Sequence, residues 1–209
     1  MRFRALSWMM AAMLAAIAAP AGAAMILKMN LPQLTERADA IFRGEVLSVE
    51  PGKISIGGGT LPTVTYRLRI DEAFKGEFEA KESASPEVEL TMLGTLKAAA
   101  HNDDQGDNQG GSQARLASSL PEVPKLRVGE SYVLFTTAPG KSGLRSPVGL
   151  GQGSFRIYAG ANKTELAVNE LNNLGLFDGA TSPQRAAQGS EGPVTYTRLA
   201  VAILAELGK

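Results

Sequence analysis

The sequence predicts a mainly β fold: a small antiparallel sheet closed wholly or partly into a barrel, with a short helix before it and a second helix after it. Three observations carry this. Val64, Tyr66, Leu68 and Ile70 alternate with Thr65, Arg67, Arg69 and Asp71, the period of two expected of a half-buried strand. Val88, Leu90 and Met92 repeat the alternation, and Tyr132, Val133, Leu134 and Phe135 form an apolar run suited to a central strand covered on both faces. Tyr196, Leu199, Ala200, Ile203, Leu204 and Leu207 instead recur at helical spacing. With Thr195 or Thr197 as cap and Gly208 as terminator, they predict a helix over about 195–207.

Taken in order, the chain of 209 residues opens with Arg2 and Arg4, then the apolar stretch Leu6–Ala19, then Pro20 and the small residues Ala21, Gly22 and Ala23. That layout predicts a secretory signal peptide over residues 1–23, with the exported chain starting at Ala24. The apolar stretch is short for a bilayer span of about 20 residues. The expectation is therefore a periplasmic or secreted protein with no membrane span after cleavage, its residues 24–209 forming one domain.

Asn30 is placed to cap a short helix, with Pro32 in its first turn and Leu31, Leu34 and Ala38 on one face. AIFRGEVLSVE follows as the first strand, with Gly44 as a bulge or close-packing point and Pro51–Gly52 as its end. Gly57, Gly58 and Gly59 turn the chain into the second strand, Phe74 plugs the core where that strand ends, and Lys75–Gly76 forms a turn. Residues 97–120 are dominated by Gln, Asn, Asp, Gly and Ser, the composition of a solvated insertion mobile at its centre. Val128–Glu130 and Pro139–Gly140 are turns on either side of the fourth strand, and two short extended pieces flank the glycines at 149, 151 and 153. NKTELAVNELNNLGLF fits a short helix or a hairpin, and GATSPQRAAQGSEGP reads as a polar linker.

Composition narrows the chemistry. Basic and acidic residues number 21 each, so no global field draws in nucleic acid, and none is expected as a partner. The chain has no cysteine, which excludes disulfides, a thiol nucleophile, a thiolate metal site and lipoprotein-type acylation.

Each candidate motif also has a plain structural reading. A phosphate loop needs a strand before its glycines and a helix after them. Here Ser154-Phe155-Arg156-Ile157-Tyr158 follows, so Gly149, Gly151 and Gly153 read as a bent strand that lets another backbone approach. Asp103, Asp104 and Asp107 lack the spacing and terminal glutamate of a calcium loop. His101, the only histidine, cannot build a multi-histidine zinc site and lies in the polar insertion, a poor place for a catalytic base. Among the carboxylates no pair stands out, and Arg67 and Arg69 read as a solvated sheet face. No catalytic, metal or cofactor-binding residue is assigned, and no cofactor is expected.

LTERADAIFRGEVLSVE, YRLRIDEAFKGE, LRVGESYVLFTT and VGLGQGSFRI together resemble a family of exported bacterial proteins of unassigned function, over roughly residues 31–158. The first two segments are also similar to the netrin-like domain of tissue inhibitors of metalloproteinases. That resemblance implies an OB-like barrel of about five strands. Those inhibitors act through a cysteine at the mature N-terminus, and this chain has none to match it. The expected function is an exported, non-enzymatic binding or interaction module, whose partner would be another exported protein such as a protease. An inhibitor or accessory protein of a secreted metalloprotease is the alternative, on fold analogy, and a carboxylate-dependent hydrolase is a third reading.

Overall fold

The computed structural model describes residues 27–79, 85–96, 125–179 and 191–208. The expected signal peptide at 1–23, the expected insertion at 97–120 with His101 and its three aspartates, and most of the expected polar linker lie outside the described residues. Among the described residues, seven antiparallel strands form one sheet: β1 (Ala40–Ile56), β2 (Gly59–Lys75), β3 (Glu87–Leu93), β4 (Ser131–Thr136), β5 (Ser154–Ala159), β6 (Glu165–Val168) and β7 (Val194–Thr195), in the order β3-β2-β1-β4-β5-β6-β7. Helix α1 (Leu31–Arg37) precedes them and α2 (Tyr196–Glu206) follows. The fold is mainly β, as expected. The expected barrel closure is not formed by a strand ladder: β3 and β7 are the two edges of an open sheet, and no strand pairing joins them among the described residues.

Helix α1 begins with a capping box. The Asn30 side chain accepts from Gln33 N at 3.0 Å, and the Gln33 side chain accepts from Asn30 N at 3.1 Å. At its other end the Lys75 ammonium donates to the carbonyls of Thr35 and Ala38, so a cation from the end of β2 satisfies the last helical acceptors. The next residue, Gly76, has φ +95°, and a Cβ there would lie 2.9 Å from that of Ala40. Lys75 is therefore the last residue of β2 rather than part of a turn, Gly76 bends the chain after it, and the pair clamps helix to sheet.

Two cores lie on the two faces of the sheet. Ile41, Val133, Phe135, Phe155 and Ile157 meet Leu31 and Leu34 of α1 and Leu199 and Ile203 of α2 on one face. Phe42, Val46, Val64, Tyr66, Leu68, Leu90, Met92, Tyr132 and Leu134 pack on the other, with Leu126. β4 contributes alternate residues to both, which is why its run is continuously apolar. Each large side chain so buried contributes about 1.5–3 kcal/mol.

Bulges steer the side chains between these cores. Arg43 pairs with Glu72 and Gly44 with Ile70, which leaves Asp71 as an extra residue. Ile70 therefore faces the second core while Phe74, of the same parity, reaches the first. Gly44 sits at that step, and a Cβ there would lie 2.5 Å from the Arg69 carbonyl oxygen.

The sequence reading of β1 needs correction. Pro51–Gly52 does not end the strand, which continues to Ile56 and pairs with β2 out to Gly59. Pairing of β1 with β4 stops at Glu45, so beyond it β1 is an edge, where a proline's missing N–H leaves no ladder acceptor unfilled. The arms meet at Gly57 and Gly58, both with positive φ (+61° and +79°), the geometry of a two-residue hairpin turn. The ambiguous ELAV segment is the short strand β6.

The three alternate glycines do not form a bent strand. Leu150–Gly153 is a 3-10 turn, and β5 starts only at Ser154. The expected close approach is present: a Cβ on Gly153 would lie 2.5 Å from the Val148 carbonyl oxygen and 3.1 Å from that of Phe135. Gly153→Ala is expected to destabilise the protein by about 1–3 kcal/mol, because only backbone could yield. Gly57→Asn, at an open turn tolerant of positive φ, should stay within about 0.5 kcal/mol of the parent. Urea unfolding of both variants checks this, and equal losses would contradict the assignment.

Candidate functional site

Across the middle of the sheet, Tyr132 of β4 lies directly opposite Arg156 of β5, which lies opposite Val168 of β6. This row faces away from the helices, at the margin of the second core. Here the surface opens into a cleft of about 340 Å³. Tyr132, Ser154, Val168 and Asn169 line it along the sheet and Leu126 from the preceding turn. Lys125, Arg127, Glu130, Arg156 and Glu170 bring charge to it.

The cleft is held by hydrogen bonds from buried amides. Asn169 donates through Nδ2 to the Gln152 carbonyl at 3.0 Å and accepts at Oδ1 from Leu171 N at 3.1 Å and Asn173 N at 2.8 Å. Asn173 accepts at Oδ1 from Asn169 N at 2.9 Å and donates through Nδ2 to the carbonyls of Ala167 and Gly192, at 3.0 and 2.9 Å. The Gln152 side chain accepts from Met29 N at 2.7 Å and donates to Leu27 O at 3.1 Å, which fixes the segment before α1. Gly151 completes the arrangement, since a Cβ there would occupy the place of the Glu170 carboxylate, 1.9 Å from its Oε2.

Tyr132 organises the charged wall. Its hydroxyl donates to Glu130 Oε2 at 2.6 Å and accepts from Arg127 N at 3.2 Å. Burial, reinforced by the Glu130 carboxylate, pushes this phenol well above the usual tyrosine range, so it stays a neutral donor. The other Glu130 oxygen, Oε1, is approached by Arg127 Nη1 at 3.8 Å and Arg156 Nη1 at 3.7 Å.

A second polar cluster ties α2 to the sheet. Arg43 of β1 makes a bidentate pair with Glu165 of β6, at 2.8 and 2.6 Å, and its guanidinium lies 4.4 Å from the Tyr196 ring centroid. The Tyr196 hydroxyl donates to Glu72. Hydrogen bonding from Arg43 holds the Glu165 carboxyl below the usual range. Burial, then Glu72, pushes Tyr196 up.

Arg69 pairs with Glu45 at 2.6 Å and Asp71 at 3.1 Å, and Arg67 lies 3.9 Å from Glu87, so both belong to a solvated, ion-paired sheet face. Among the described residues no group of three His, Cys, Asp or Glu could hold a metal ion, and no helix is long and apolar enough to cross a membrane. Sequence reasoning found no carboxylate pair, yet Glu130 and Glu170 line the same cleft. They are far apart in the chain and meet only through strand register. The one local signal was the amide-rich VNELNN, whose Asn169 forms a turn through its own side chain. No protein-family model matches the chain, and no curated protein matches it.

Two outcomes follow from these networks. Gln152→Leu, of similar volume, leaves Met29 N and Leu27 O without their partner. It is expected to cost about 1–3 kcal/mol and to speed amide exchange at Met29, read by hydrogen-exchange mass spectrometry. Glu165→Gln tests the ion pair through pH. The folded carboxyl is held below its unfolded value of about 4.3, so its contribution is complete above that value and fades as pH falls through the folded one. The parent should exceed the variant by about 0.5–1 kcal/mol near pH 7, the pair being part-exposed, and the two should converge in acid. A gap that persists at low pH would contradict the electrostatic origin.

Proposed function

We propose that the chain is an exported, non-enzymatic binding module that takes a small polar ligand into the cleft on the β4–β5–β6 face. The observation that carries this is the pairing of a mixed-charge cleft with Asn169 on its lining, held in place by its bonds to the Gln152 carbonyl and from Leu171 N and Asn173 N, a preorganised group that can meet a ligand without ordering itself first.

An OB-type barrel is supported by the bulges along β1 and β2 and by the segment after β4. That segment returns beside its own strand through Thr137 N to Ser146 O at 2.9 Å, then reaches the edge of β3 through Arg145 N to Thr91 O at 2.9 Å. Such a strap would complete a ring of β1, β2, β3 and β4. OB-type barrels use their open faces and loops to bind ligands. Export rests on the pattern of residues 1–23, and an exported protein such as a protease remains the partner suggested by the netrin-like resemblance.

A carboxylate-dependent hydrolase is the second reading, favoured by one observation: Glu130 and Glu170 share the cleft with Ser154. One experiment addresses both. The chain is recovered from a periplasmic extract, where its intact mass reports whether it starts at Ala24. It is then titrated, isotopically labelled, with separate pools of neutral, cationic, anionic and zwitterionic metabolites. The binding reading expects saturable amide shifts at Tyr132, Arg156 and Asn169 with at least one pool and no product signals. Product signals lost in Glu170→Gln would favour the hydrolase, and no cleft-directed shift with any pool would overturn the proposal.

A further inference from the structure

We infer that the charged wall of the cleft is an oxyanion site, in which Arg127 and Arg156 together grip a carboxylate or phosphate group of the ligand. This rests on the binding reading above and names the chemistry the site selects.

Two guanidiniums from different parts of the chain converge on one atom, Glu130 Oε1, at 3.8 and 3.7 Å, and both stop short of a hydrogen bond. The other oxygen of that carboxylate is held by Tyr132 at 2.6 Å. Two positive charges thus face one negative charge, and among the described residues neither guanidinium donates a hydrogen bond. Each carries five N–H donors in a planar fork that matches carboxylate and phosphate. The nearby Lys125 adds a third positive charge to the cleft, and Glu170 supplies the other negative one.

The geometry is prepared rather than incidental. Arg156 is fixed by register between Tyr132 and Val168, and its guanidinium lies 5.1 Å from the Tyr158 ring centroid. Arg127 is fixed at its backbone, whose N–H donates to the Tyr132 hydroxyl and whose carbonyl accepts from Glu130 N at 3.1 Å. One phenol therefore positions both Glu130 and Arg127. Glu130 acts as an internal placeholder: it draws the two guanidiniums together without saturating them. An incoming oxyanion with two or three oxygens would satisfy both forks, and the rest of the ligand would lie over Ser154 and Asn169.

The test is a titration of the exported chain at low ionic strength with inorganic phosphate and, separately, with acetate, followed by the side-chain Nε–H signals of arginine. Saturable shifts at Arg127 and Arg156 are expected. Arg156→Gln should weaken binding about tenfold or more, the scale of a lost charge-assisted hydrogen bond. Glu130→Gln keeps an acceptor for Tyr132 but removes the competing charge, and should tighten binding. Arg67→Gln, on the distant sheet face, should change nothing, and thermal melts of each variant verify folding. Phosphate alone, acetate alone or both binding at these arginines supports the site and tells which source it prefers. Unchanged affinity in folded Arg156→Gln, or weaker binding in folded Glu130→Gln, overturns it. If neutral or cationic metabolites occupy the cleft while neither anion does, the oxyanion site fails and the binding module stands. If no ligand of any class does, both fail.

Discussion

Three buried amide side chains, those of Gln152, Asn169 and Asn173, hold the irregular half of this protein to its sheet. Outside strands and helices, a chain that turns through an interior leaves peptide groups without partners, and each costs about 1–3 kcal/mol if unpaired. Here the turn at 169–173 is closed on itself by its own asparagines, the 3-10 turn at 150–153 is bonded to it through the Gln152 carbonyl, and the segment at 27–29 is bonded through the Gln152 side chain. The same amides draw in Gly192, next to the short strand β7 that leads into α2. Four segments distant in sequence thus share one small set of hydrogen bonds.

The glycines make that set possible by close approach. Gly151 leaves the space the Glu170 carboxylate fills, and Gly153 lets the turn lie against the carbonyls of Val148 and Phe135. Further along the sheet, the cleft arises where burial gives out. Tyr132 is the last member of the second core in its row. Its neighbour Arg156 is exposed, and Val168 beyond it is half-buried. A face that changes from apolar to charged within one strand spacing leaves a concave margin with a dry side and a wet side, the setting in which a few polar groups can fix a ligand's orientation.

Much of the scaffold was legible in the sequence because it is local. Period-two alternation located β2 and β3, a continuous apolar run located β4, the Asn30 cap and Pro32 located α1, and helical spacing with a threonine cap located α2. Phe74 and Tyr66 point inward as alternation and chain position required. What escaped depends on partners remote in sequence. Pro51 looked like a stop because a single chain does not show that β4 has already parted from β1 at Glu45. The glycines at 149–153 looked like a strand because their close contacts come from Val148, Phe135 and Glu170. The cleft was invisible for the same reason: it gathers residues 125–132, 154–156 and 168–170, none carrying a motif, by strand register alone.

Two arginines show how geometry separates a structural charge from an available one. Arg43 and Arg156 both project from central strands, and each has a carboxylate and a tyrosine ring near it. Arg43 is committed: Glu165 takes its two Nη groups at hydrogen-bond distance, Tyr196 covers its face, and its side chain is only 19% exposed, with Nε buried and without a hydrogen bond among the described residues. Its charge is consumed in fastening α2 to β1 and β6. Arg156 is 46% exposed, and its carboxylate partner is already bonded elsewhere and shared with Arg127. A shared, distant partner restrains where a guanidinium points while leaving its donors open. The difference lies in the stoichiometry of charge around each arginine, one carboxylate to one guanidinium in the first case and one to two in the second. That imbalance is stable only at a surface where water completes the solvation, and a site that water completes is one that a ligand oxyanion can enter by exchanging for it.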